Sequence, residues 1–204
     1  MANVNKPSGF TPSKYLNGAP WNGQANIYSI AAAYATELAI GDPVKSSGTS
    51  DANGIPGIVL GAATGALRGV IVGLGTKPGL LANPANLDTT KRPAAAQSTD
   101  WYALVVDDPN VLFEIQEESN GTQLAATEVG LNTVPLLAAA GTYLSGWLLR
   151  SATGATPGTT ATLQLRLMGL AQYPAGTNVF GAYAKWLVKI NVHELGTGTG
   201  AAGV

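Results

Sequence analysis

Three segments in the second half of the chain alternate apolar and polar residues with a period of two. In Val111–Gln116, Val111, Phe113 and Ile115 fall on one side, and Glu114 and Gln116 on the other. Residues 160–168 set Ala161, Leu163, Leu165 and Leu167 against Thr160, Thr162, Gln164 and Arg166. In 185–193, Trp186, Val188, Ile190 and Val192 line one side and Lys185, Lys189, Asn191 and His193 the other, with Leu187 as the exception. Successive side chains of a strand point to opposite faces. The alternation therefore predicts antiparallel sheets with one wet face rather than a parallel βαβ core.

Shorter apolar runs fill the rest, separated by Gly, Pro, Asn and Asp. Residues 25–30 read as a strand, and 38–44 as a strand interrupted by the turn Gly41-Asp42-Pro43. Residues 46–57 read as a polar loop tipped by Asp51-Ala52-Asn53-Gly54. A hairpin is expected from 58–62 and 68–73 around Thr64-Gly65. The apolar run 101–106 should turn through Asp107-Asp108-Pro109-Asn110 into the strand at 111 as a second hairpin. Residues 142–149 form a further strand and 151–159 a Gly/Pro loop. Residues 123–130 alone suggest a short helix, favoured by Ala125 and Ala126 and stopped by Gly130. Roughly eight to ten short strands with turns between them predict an all-β fold, an antiparallel jelly-roll-like sandwich or barrel.

The ends differ from the middle. Residues 1–24 are punctuated by Pro7, Gly9, Pro12, Gly18, Pro20 and Gly23, and read as an extended N-terminal arm. The arm nevertheless carries Phe10, Tyr15, Leu16 and Trp21, each of which gains about 1.5–3 kcal/mol from burial. It is therefore expected to dock, either on its own body or on a neighbouring subunit, and these four residues are the candidate interface. Residues 25–195 form a single β domain containing a long Gly/Pro/Asn-rich loop at 74–99, and long loops are usually functional or mobile. Residues 196–204 read as a flexible Gly-rich tail or one draped over a partner.

Composition narrows the functional classes. Charged residues make up only 11% of 204 and hydrophobic residues 46%, so disorder driven by charge is excluded. Few charges need desolvating when such a surface meets another protein. The formal net charge is −1, and no basic run exceeds Lys91-Arg92, which argues against direct nucleic-acid binding. With no Cys, disulfides, thiolate zinc sites and Cys nucleophiles are impossible. Residues 1–13 lack the apolar stretch of a signal peptide, and no run approaches the roughly 18 residues that span a bilayer. The expectation is a protein kept in the cytoplasm or built into a particle assembled there, with no membrane partner.

Candidate chemistry is sparse. The sole histidine, His193, is expected exposed on the polar side of the last strand, and no G-x-S-x-G elbow accompanies it. Asp107, Asp108, Glu114, Glu117 and Glu118 are the densest acidic stretch, but Asp107-Asp108-Pro109-Asn110 is turn chemistry and Glu117-Glu118 ends a strand. Neither a calcium loop nor a glycosidase pair is forced by that spacing. The run Gly73-Leu74-Gly75-Thr76-Lys77-Pro78-Gly79 puts proline where a dinucleotide fingerprint needs its third glycine. No catalytic, cofactor or metal residue is assigned, and the protein is expected not to be an enzyme. Trp101 and Trp186 are expected in the core, whereas a carbohydrate platform would need aromatics exposed on one face.

Several strings in order carry a family likeness. The opening Ala2-Asn3-Val4-Asn5-Lys6-Pro7-Ser8-Gly9-Phe10 leads to Leu16-Asn17-Gly18-Ala19-Pro20-Trp21-Asn22-Gly23-Gln24. Gly41-Asp42-Pro43-Val44, Asp51-Ala52-Asn53-Gly54-Ile55-Pro56, Asp107-Asp108-Pro109-Asn110-Val111 and Phe113-Glu114 follow, and Ala184-Lys185-Trp186-Leu187-Val188-Lys189-Ile190-Asn191 closes the set. Together they resemble head structural proteins of tailed bacteriophages. The resemblance implies a β-rich decoration or cement protein on the capsid surface of the virion, acting as a homo-dimer or homo-trimer. Its partner would be the major capsid protein, whose subunits it bridges. A tail-associated or glycan-binding β module is the alternative, and a hydrolase using Glu114 or Glu117 a more distant one.

Overall fold

A computed structural model describes residues 3–77, 89–137, 144–174, 176–197 and 199–203. The described chain is all-β. Its first half closes a barrel from β2 (Asn26–Ile30), β4 (Pro43–Ser50), β5 (Pro56–Leu60), β6 (Gly69–Gly75) and β8 (Trp101–Val106). The strand order is β2-β5-β4-β6-β8, closed by a single parallel contact between Ser29 and Gly57. Inside lie Tyr28, Ile30, Val44, Ile58, Ile71, Leu74, Ala103 and Val105.

The second unit is an antiparallel sheet of β1 (Thr11–Tyr15), β9 (Val111–Gln116), β10 (Asn132–Thr133), β13 (Leu165–Leu170) and β14 (Lys185–Ile190), ordered β1-β9-β14-β13-β10. The apolar faces of β9 and β14 are as expected, but Leu112, Gln116 and Leu187 on the face expected to be wet are buried as well. Val111, Phe113 and Ile115 are buried, as are Trp186, Val188 and Ile190. They share one apolar cluster with Leu67, Val70 and Val106 from the barrel side, so the two units pack through a common core. Two small ribbons complete the fold: β3 (Leu38–Ala39) with β7 (Lys91–Arg92), and β11 (Pro135–Leu137) with β12 (Trp147–Leu149).

Several local expectations are corrected. Residues 58–60 pair with β4 rather than β6, so no hairpin forms around Thr64-Gly65. The hairpin instead turns at Asp51–Gly54, where Asp51 Oδ1 accepts the amides of Asn53 and Ile55. That turn chemistry draws residues 46–50, expected as loop, into β4. Residues 107–110 turn the chain out of the barrel and into the sheet, so β8 and β9 belong to different sheets. The expected helix at 123–130 shrinks to one 3-10 turn, Ala126–Glu128. Residues 160–164 are turns despite their alternation, since Asn191 Nδ2 donates to the carbonyls of Ala161 and Leu163 and holds them off the ladder.

Both chain ends lie against their own body. Gln116 clasps the N-terminal segment: its Oε1 accepts the Lys6 amide at 2.7 Å and its Nε2 donates to Asn5 Oδ1 at 2.9 Å. At the tail, Ala201 N donates to Asn191 Oδ1, and Arg166 Nη2 donates to the Ala201 carbonyl. Residues 199–203 are thus fastened beside β10 and β13, unlike the free tail expected. Residues 78–88 of the loop 74–99, 142–143 of the strand 142–149, and 198 and 204 of the tail lie outside the described residues.

One tight chain crossing joins four remote segments. Phe10 N donates to the Gly41 carbonyl, Gly41 N to the Ile71 carbonyl, and Ser145 N to the Ile40 carbonyl. Gly9 (φ 67°) and Gly41 (φ 93°) both sit in the left-handed region. A Cβ on Gly9 would overlap the Ser145 side chain and the Gly41 carbonyl. Only glycine meets both demands there.

Candidate functional site

The junction of barrel and sheet holds a continuous polar network. Tyr28 Oη donates to Asp107 Oδ2 at 2.5 Å and accepts from Arg68 Nε at 2.9 Å. Asn26 Nδ2 donates to the other oxygen of Asp107 at 2.8 Å. Arg68 also faces Glu194 at 3.7 Å, and Glu194 accepts the Ser46 amide and hydroxyl. Burial and the Asp107 hydrogen bond push the Tyr28 phenol up from its ordinary value. The backbone reinforces the seam, since Leu67 N donates to the Val192 carbonyl and Glu194 N to the Leu67 carbonyl.

His193 belongs to this seam and is buried, which corrects the expectation of an exposed strand residue. The chain bends at 191–193 after β14, carrying the imidazole inward. Its Nδ1 accepts the Leu195 amide at 3.0 Å, so the neutral ring carries its proton on Nε2, which meets no acceptor. Burial lowers its pKa. The ring is held by the backbone in one tautomer, and Ser46 gives its hydroxyl proton to Glu194 instead. The network holds two sheets together and sets up no nucleophile–base pair.

The acidic stretch is divided by the fold. Glu117 is fully buried: Oε1 accepts the Leu124 amide at 2.6 Å and Oε2 the Trp186 indole N–H at 3.0 Å. Desolvation outweighs these bonds and raises its pKa to about 7. Glu118 Oε1 accepts the amide and hydroxyl of Ser151. Asp42, at the crossing near Gly41, accepts the Ala39 amide, and burial raises its pKa to about 6. Arg92 is wholly buried and donates to the carbonyls of Ala31, Ala32 and Thr36. Lys91 bonds Glu37, so the chain's one basic pair is not an exposed patch. Among the described residues, no group of three or more His, Cys, Asp or Glu side chains is placed to hold a metal ion.

Glu114 sits elsewhere, on the outer side of the sheet. Both of its oxygens lie 2.6 Å from Tyr173 Oη, which donates, and Lys185 Nζ donates to Oε1 at 3.0 Å. Tyr173 and Lys185 of this trio line a cleft of about 260 Å³ together with Asn3, Val4, Lys6, Thr177, Asn178 and Tyr183. Asn178 holds the β13–β14 connection, donating to the carbonyls of Ala171 and Lys185. Asn3 ties the N-terminus to it through the carbonyls of Val179 and Ala182. Sequence reasoning passed over this cleft, since its walls come from residues 3–6 and 173–185. Tyr173 and Tyr183 in one Gly/Pro/Asn-rich connection were the available signal.

The four expected interface residues separate. Phe10 is 1% exposed and packs edge-on against Phe113 with centroids 6.2 Å apart. It is core, which removes it as a contact for another subunit. Tyr15 and Trp21 are half-buried against the same cluster. Leu16 remains outside at 43% exposure. Of the tryptophans, Trp186 and Trp147 are fully buried, while Trp101, expected in the core, is half-buried at the barrel. No family model, curated protein or solved structure significantly matches the chain.

Proposed function

We propose that this chain is a structural protein of a tailed-phage virion, bound to the outside of the head shell and bridging major capsid protein subunits as a homo-dimer or homo-trimer. The resemblance of its ordered strings to phage head proteins motivates the reading, and in the fold those strings serve as turns and strands. Gly41-Asp42-Pro43, Asp51-Ala52-Asn53-Gly54 and Asp107-Asp108-Pro109-Asn110 supply turns and the barrel-to-sheet crossover, and residues 184–191 supply the central strand.

One observation carries the proposal: large apolar side chains stand uncovered around the 107–110 crossover. Leu16, whose amide bonds the Asn110 carbonyl, is 43% exposed. Ile27, next to the Asn26 that holds Asp107, is 40% exposed. Leu195, whose amide bonds the His193 ring that senses Asp107 and Asp108, is 51% exposed. Full burial of each is worth about 1.5–3 kcal/mol. Contacts to two shell subunits then act together, because the second forms at high effective concentration. Such a ligand strengthens the lattice it prefers.

Cryo-microscopy of the parent virion is expected to place the chain on the head. Leu16→Asp with Leu195→Asp should fold normally, as both sites are exposed, and should weaken binding to empty shells by about tenfold or more. Unchanged shell occupancy, or density for the chain only in the tail, would refute the proposal. A second reading, a tail-associated β module that holds glycan, is favoured by the half-exposed Tyr173 beside the Glu114 cleft. Density in the tail would support it.

A further inference from the structure

The cleft at Glu114 has the features of a ligand site that the fold does not itself need. Its walls come from two remote places, the N-terminal segment and the β13–β14 connection running into Lys185, and each is fixed by side-chain amides. Tyr183 is the only non-glycine described residue with positive φ, at 62°. A tyrosine gains nothing from that conformation, and such strain concentrates at ligand clamps. Tyr173 is 45% exposed.

The polar groups indicate what would fit. Glu114 balances Lys185, whereas Lys6 makes no ion pair among the described residues, which leaves one net positive charge in the cleft. Thr177 donates its hydroxyl proton to the Pro174 carbonyl, so towards a ligand it can only accept. Tyrosine rings offer flat faces to the C–H side of a sugar. A volume of about 260 Å³ lies at the small end of ligand sites and suits one ring.

We propose that this cleft binds a carboxylated pyranose, the repeating unit of an acidic polysaccharide, with the sugar ring against Tyr173 and Tyr183 and its carboxylate at Lys6. Burial, with the Glu114 carboxylate beside it, pushes the Tyr173 phenol well above its ordinary value, so that phenol stays a donor at any pH a sugar would meet. Two positive charges and one negative make the neutral analogue a poorer ligand, because the exposed Lys6 ammonium attracts a carboxylate and gains nothing from a neutral group. The inference deepens the glycan-holding reading and rests on it, not on the head-shell reading. Shell occupancy is read on virions and sugar binding on the isolated chain, so either can fail alone.

The test is a titration of the full-length protein, followed by amide NMR, with glucuronic acid and a glucuronate oligosaccharide, against glucose and a poly-glutamate peptide. Shifts are expected at Lys6, Tyr173, Tyr183 and Lys185, with glucose binding at least about tenfold more weakly. Lys6→Gln should erase that preference while leaving the fold unchanged, since only the Lys6 backbone amide bonds Gln116. Tyr183→Gly should abolish binding and leave thermal stability equal or higher, because the backbone strain is relieved. The proposal fails if the sugar acid leaves these amides unmoved at millimolar concentration, or if glucose binds as well. It fails equally if poly-glutamate competes as an equal, or if neither variant alters the affinity.

Discussion

Between pH 4.5 and 7 the folded protein is expected to lose up to about 3 kcal/mol of stability through Glu117 alone. In the fold this carboxyl titrates near 7, against 4.5 as its ordinary value. Across that interval the unfolded chain has released the proton while the folded chain still holds it. Rising pH therefore favours unfolding, and the contribution is complete below 4.5 and gone above about 7. Asp42 acts in the same sense between about 4 and 6, because burial raises it from 3.8 to about 6. His193 acts oppositely: its pKa is lowered, so its contribution is present above 6.5 and declines as pH falls. Glu117→Gln isolates the first effect. Urea midpoints measured at a series of pH values should show the gap between variant and wild type changing by about 3 kcal/mol across this window. Parallel profiles would show that the Glu117 carboxyl is not raised.

Gly9→Ala is expected to destabilise by about 2–5 kcal/mol, from left-handed backbone strain of about 1–2 and overpacking of about 1–3. The added methyl meets the Ser145 side chain and the Gly41 carbonyl, where four remote segments cross. Gly18 provides the control, for it also has positive φ, at 89°, but nothing stands within 4 Å of its would-be Cβ. Gly18→Ala should therefore cost only about 1–2 kcal/mol. For a chain of this size the Gly9 variant should melt roughly 10 °C lower. Equal melting temperatures for the two variants would remove the crossing as a source of stability.

The strands with strong alternation were legible because burial of one sheet face imposes period two directly. Val111, Phe113 and Ile115, and Trp186, Val188 and Ile190, are inside as their spacing indicated. The same rule misled at 160–164, where polar side chains captured the backbone before the ladder could extend. Pairing was less legible than strand existence. Residues 58–60 and 69–75 look like adjacent arms of a hairpin, yet each pairs with β4, because the stronger turn lies at Asp51–Gly54. Of the candidate interface, Phe10 and Leu16 had equal standing as apolar residues in a broken segment. Only the position of Phe113 and the core beneath it made one buried and left the other exposed.

The chain's own residues determined that it folds as β-sheet, where its main turns fall, and that no thiol chemistry is open to it. These follow from local properties: side-chain period, the φ demanded by Gly and Pro, and residue types that are present or absent. The tertiary structure decided which strands share a sheet, that His193, Glu117 and Arg92 are buried, and that residues 3–6 meet 173–185 to form a cleft. Those outcomes depend on contacts between segments far apart in sequence, as when Arg92 reaches Ala31 and Asn3 reaches Val179. No local pattern encodes such pairings; the competition among all possible burials does.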